Sequence, residues 1–164
     1  GMHEKNALGW SSTFMKQGLA FMFLLLFQGE KFSEGMKAMQ SRAKSVCEIS
    51  ADKFYRGTEI NSDNELFSQL FNSWKNEVQL TIEESKKWLG KIEKWIAGRV
   101  TGIMEGNHRN YYGECASFIA AFGEVQESLG IPDAKAHIME KYRNEYSRRS
   151  AFRKELVIYG MKNR

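Results

Sequence analysis

Between His108 and Leu129 the chain reads HRNYYGECASFIAAFGEVQESL, and no other stretch constrains the fold as strongly. Placed on a helix, Tyr111, Cys115, Phe118, Phe122, Val125 and Leu129 recur at steps of three or four and align as one apolar stripe. Arg109, Asn110, Glu114, Glu124 and Glu127 fall mainly away from it. So wide an apolar face must be buried, and the rest of the chain is expected to supply the helices that cover it. Gly130 and Pro132 stop this helix, and a second amphipathic stretch begins at Asp133.

The same periodicity runs through most of the chain. Ser11, Ser12 or Thr13 caps a first helix that reaches about Gln28. Phe14, Phe21, Leu24 and Leu25 mark its core face, while Met22, Phe23, Leu26 and Phe27 make it apolar nearly all round. Such a helix is either central to its own fold or covered by a second copy, a homodimer through the N-terminal apolar helix. Gly29 ends it, and Ser33-Glu34 starts a helix of about 15 residues through Met36, Met39, Ala43 and Val46. Residues 49–63 read as the one substantial linker, with a single turn at 51–56. From Asn64 to about Met104, Phe67, Leu70, Phe71, Trp74, Val78, Ile82, Leu89, Ile92, Ile96, Val100 and Ile103 keep helical spacing, with Gly90 expected to split or kink the run. Two shorter helices follow, over 133–146 and roughly 148–159.

Pro132 is the only proline, and nowhere does period-two alternation extend beyond a few residues. The reading is an all-α domain over 1–164, of six or seven helices packed as antiparallel hairpins, tetratricopeptide-like or an irregular bundle. Its parts are a first hairpin at 10–48, a long helical segment at 63–104 and a C-terminal hairpin with a basic end at 108–160. At 164 residues, 42% hydrophobic and 27% charged, the chain can bury a core and is not compositionally disordered. The longest apolar run, Leu19 to Phe27, falls far short of the ~20 residues a membrane span needs. Gln28-Gly29-Glu30 offers no signal-peptide cleavage site, so a cytoplasmic protein with no membrane partner is expected. Cys47 and Cys115 both read as buried free thiols, which suits a reducing compartment.

Two segments resemble the turn of a tetratricopeptide-type repeat. QGEKFSEGMKAM and SLGIPDAKAHIM share a glycine, then an acid, then a small residue that lets helices approach closely. Gly29 and Gly130 lie 101 residues apart, close to three repeats of 34. The other consensus aromatics are missing, so such repeats would be degenerate.

Chemistry-bearing motifs are sparse. His3, His108 and His137 have no second ligand at zinc spacing, and neither HExxH nor CxxC occurs, so no metal is expected. No GxSxG, Walker loop or GxGxxG is present, and no cofactor or catalytic residue is assigned. Glu124 and Glu127 share a helical face and could serve a metal or a general acid. Without the Glu-x-x-His of a di-iron bundle, a solvated face is the better reading. His108, beside Arg109 and the Tyr111-Tyr112 pair, forms either a cationic, aromatic patch for an anion or peptide, or a helix N-terminal group bonding its neighbours.

The net charge of +4 is carried at one end. From Asp133 to Arg164, nine Lys or Arg against four acids give +5, leaving −1 for the remainder. Within SRRSAFRKEL, Arg148, Arg149, Arg153 and Lys154 are expected on one helical flank near Tyr142 and Tyr146, where they could grip phosphates. The alternative is a helix–helix corner, with these arginines bonding acids such as Glu114, Glu124 or Glu145 and the last carbonyls of a preceding helix. That alternative fits better, because +5 interspersed with acids is modest for a nucleic-acid binder.

Residues 108–155 resemble the helical segment of SWIM zinc-finger-associated bacterial proteins. The matching positions are His108, Arg109, Tyr112, Glu124, Gly130, Tyr142, Tyr146, Arg148, Arg149, Phe152, Arg153 and Glu155, about a third of the chain. The three cysteines and one histidine of the SWIM signature are absent. The resemblance therefore implies the helical scaffold alone and a partner-binding role. The expected function is a non-enzymatic adaptor for a protein or peptide, with His108, Arg109, Tyr112, Arg148, Arg149, Arg153 and Lys154 as its candidate surface. A nucleic-acid module using the basic helix is the alternative, followed by a ligand-binding or enzymatic bundle around Glu124, Glu127 and His108.

Overall fold

A computed structural model describes residues 14–54 and 63–162. Through them run α1 (Leu19–Leu26), α2 (Glu34–Phe54), α3 (Asp63–Glu77), α4 (Ile82–Glu105), α5 (Tyr112–Ser128), α6 (Ala134–Glu145) and α7 (Ser150–Ile158). A π-helical turn at Phe14–Gly18 leads into α1, and a 3-10 turn at Arg109–Tyr111 leads into α5. The chain is an all-α bundle, with no strand among the described residues. No helix among them is long and apolar enough to cross a membrane.

The stretch that dominates the sequence dominates the packing. Helix α5 lies most extensively against α6 and α2, then against α7 and α4, and touches α1 as well. Every residue from Cys115 to Val125 is buried, not only the apolar stripe. Small residues on the other flanks explain this. A Cβ added to Gly123 would fall 2.3 Å from Lys135 Cα, and one added to Gly35 of α2 would fall 2.4 Å from the Ala121 nitrogen. Real side chains do not approach so closely, so glycine at each crossing lets α6 and α2 come into backbone contact with α5. At its C-terminal end, Gly130 adopts φ 91°, and Ile131 N–H reaches the Gln126 carbonyl at 3.0 Å. That left-handed turn closes the helix as the sequence indicates.

Helix α1 is central to its own fold. Leu19, Ala20, Phe23, Leu24, Leu25, Leu26 and the following Phe27 are all buried within the chain and Phe21 and Met22 are part-buried, so the helix is covered without a second copy. The helix closes at Leu26, slightly before Gln28, and its expected cap at Ser11–Thr13 lies outside the described residues. Helix α2 runs 21 residues to Phe54, longer than its apolar pattern indicates, so the expected linker starts later; residues 55–62 lie outside the described ones.

The long periodic run breaks at residues 78–81 and not at Gly90. Thr81 caps α4: its hydroxyl accepts the Glu84 N–H at 3.2 Å, and the Glu84 carboxylate accepts the Thr81 N–H at 2.9 Å. This reciprocal pair satisfies two donors that a helix start otherwise leaves open. The Thr81 N–H also holds the Glu84 carboxyl below its usual range. Gly90 sits exposed in an unbroken helix, with no atom near the position its Cβ would take. Leu70, Trp74 and Ile82 do not join the core face assigned to them. They are 64%, 42% and 75% exposed. One apolar cluster nonetheless draws in residues from Met15 to Leu156.

Candidate functional site

The basic residues meet at a corner where α4 ends and α7 begins. Helix α4 closes through Gly106 into Asn107, whose φ of 53° is left-handed, with His108 N–H bonded to the Ile103 carbonyl at 3.0 Å. Arg149, just ahead of α7, donates to the Met104 carbonyl at 3.0 Å and to Asn107 Oδ1 at 2.9 Å. A guanidinium at a helix C-terminus satisfies free carbonyls and complements the dipole there. Arg149 therefore bonds the closing turn of α4, and Glu114 and Glu124 are not its partners.

The other members of the set separate. Arg148 precedes α7 and Arg153 and Lys154 lie on it, all exposed, so the expected single helical flank is divided between a turn and a helix. Arg109 is exposed on the 3-10 turn beside Asn107. His108 is part-buried over Gly106, where an added Cβ would come within 2.5 Å of its ring. Tyr112 is not on the surface at all. It is buried at the start of α5, its ring edge-on to Phe152 at 5.7 Å and its hydroxyl without a hydrogen-bond partner. Tyr146 packs against the same Phe152 at 6.0 Å, and burial pushes its hydroxyl above the usual range. The buried Tyr142 hydroxyl is likewise pushed up.

The carboxylate pair of α5 has a purpose that a helical wheel does not disclose. Glu124 is 5% exposed, not solvated, and accepts the Gly35 and Met36 N–H groups at 2.9 and 2.7 Å. Its Oε1 also takes the Lys135 amine at 2.7 Å, and that amine reaches Glu34 at 3.4 Å. Glu127 accepts the Lys135 N–H at 3.1 Å. Two carboxylates one turn apart thus cap the N-termini of two other helices, α2 and α6, whose dipoles favour negative charge there. Gln28 N–H bonds Ser128 Oγ at 3.0 Å, so the two repeat-like turns are neighbours in space. Both oxygens of Glu124 are occupied in this way, whereas Glu127 is exposed and uses one oxygen on the Lys135 N–H. The described residues hold no group of three or more His, Cys, Asp or Glu placed to bind a metal.

A second polar cluster lies on the opposite half of α5. Arg99 of α4, 1% exposed, bonds Glu114 Oε2 through Nε at 3.1 Å and Nη2 at 2.6 Å, and lies over the Tyr111 ring. Arg42 of α2 stacks on Phe118 with its Cζ 4.8 Å from the ring centroid. Burial is the main cause that pushes the Cys115 thiol up to about 12, keeping it neutral. Cys47, expected to be buried too, is exposed.

The surface that sequence reasoning missed is apolar. Leu70 and Trp74 stand one helical turn apart on α3, and Ile82 opens α4. Periodicity assigned all three to the interior; the capping signature Thr81-x-x-Glu84 could have placed the break ahead of Ile82, while no such signal marks Leu70 and Trp74. Trp74 is joined to part-buried Phe71 at 5.5 Å, which stacks on Phe67 at 5.9 Å, so the patch is continuous with the core behind it. Compared with protein-family models, with curated proteins and with solved structures, the chain finds no match.

Proposed function

We propose that this protein is a non-enzymatic helical adaptor that binds an apolar segment of a protein or peptide partner on the exposed side of α3. The observation that carries the reading is the outward display of Leu70 and Trp74, one turn apart, on a helix whose own packing is slight. Large apolar side chains exposed together favour association, and an exposed indole braced by a part-buried phenylalanine is the kind of anchor around which interface energy concentrates. The carboxylates best suited to catalysis are engaged as helix caps or with Arg99, which also favours a scaffold. The resemblance of residues 108–155 to the helical segment of SWIM-associated proteins agrees with a partner-binding role, and its repeat-like turns with a hairpin scaffold.

The basic corner supports the nucleic-acid alternative less well. Arg149 is committed to backbone, Tyr112 is buried, and Arg109, Arg148, Arg153 and Lys154 are interspersed with Glu105, Glu145 and Glu155. A photo-crosslinking amino acid placed at Leu70 or Trp74 tests the adaptor reading in native extract. A discrete protein or peptide adduct is expected there and not from the same group at Asn72. Equal labelling at the three positions, or none, would count against it.

A further inference from the structure

We propose that Arg42 anchors a site for a small oxyanion, carboxylate or phosphate in type, on the α2–α5 face beside the Arg99–Glu114 pair. The guanidinium of Arg42 is incompletely satisfied. Its Nη1 is shielded from solvent and has no hydrogen-bond partner, and no carboxylate among the described residues lies within ion-pair distance of it. The neighbouring acid, Glu114, is engaged by two nitrogens of Arg99 on a single oxygen. Cys115 cannot serve as the counter-charge, because its thiol stays neutral. Tyr159, which also faces Arg42, is a phenol and brings no charge at neutral pH.

Geometry indicates the kind of ligand. Stacking on Phe118 covers one face of the guanidinium, so recognition of an anion would fall to its planar N–H edge. That edge matches the two oxygens of a carboxylate or phosphate, which a spherical halide cannot imitate. Arg42 as a whole is part-buried while its Nη1 is closed off, so an anion reaches that nitrogen by displacing the side chains that cover it. Burial already weighs against the charged form of this side chain, and a bound anion would relieve that imbalance. The site shares no residue with the exposed side of α3, so either proposal can fail alone.

Thermal unfolding and calorimetry in sodium phosphate, sodium succinate and sodium chloride at matched ionic strength test it. The expected result is a saturable rise in melting temperature and one-to-one binding with phosphate, succinate or both, and neither with chloride. The two oxyanion arms distinguish a phosphate site from a carboxylate site. Arg42→Gln should abolish the response, whereas Arg148→Gln with Arg153→Gln should preserve it. Arg42→Lys keeps the charge and loses the fork, and should weaken binding by ~10-fold or more. Equal responses to all three salts, no response in the unaltered protein, or an undiminished response in either Arg42 variant would overturn the proposal.

Discussion

Glu124 accepts two backbone N–H groups and the amine of Lys135, and those bonds allow a charge to lie inside the bundle. Removing one partner of such an arrangement leaves the others dry. Glu124→Ala should therefore destabilise the protein by about 3–5 kcal/mol, measured by urea unfolding, whereas Glu127→Ala, at an exposed residue, should cost ~1 kcal/mol or less. The angular position of Glu124 was legible in the sequence. Its environment was not, because its backbone partners lie 88 and 89 residues away. Arg149 divides in the same way. A role at a helix corner and on terminal carbonyls could be read from the letters, while the identity of the helix, α4, could not.

Helices were easier to find than their ends. The central helix could be read almost whole, since Gly130 and Pro132 state where it stops and a stripe of large residues states that it is buried. The α3–α4 boundary is marked by a capping pair, Thr81 and Glu84 at the required spacing, and not by Gly90, which a helix tolerates at an exposed position. Opposite responses to one substitution follow. Gly90→Ala, on an exposed and open helix position, should stabilise by about 0.5–1 kcal/mol. Gly123→Ala forces a methyl group onto the Lys135 backbone and should destabilise by about 1–3 kcal/mol. Paired melts of the two variants read both signs. The repeat-like turns give a mixed lesson, since they do converge in space, held by Ser128 and Lys135, though nothing in their spacing foretold the carboxylates between them.

Over the whole molecule, one proline and unbroken helical periodicity were enough to define an all-α fold, because they leave no material for a sheet. What they do not define is how evenly the helices share the core. Helix α5 is enclosed by its neighbours, whereas α3 rests chiefly on α2, with the Lys75 amine bonded to the Phe27 carbonyl as a further tie. Local opening follows local packing. Amides of α3 should therefore exchange with deuterium well before those of α5, and equal protection in the two would show that α3 is more firmly held than its contacts indicate.

The central position of α5 also has a consequence for biosynthesis. Leu19, Phe23 and Leu24 leave the ribosome long before Tyr112–Ser128 have been translated, so the oily N-terminal rod travels without its eventual sheath. At ~5–20 residues per second that interval lasts several seconds, which is ample time for a nascent chain to aggregate or to be met by a chaperone.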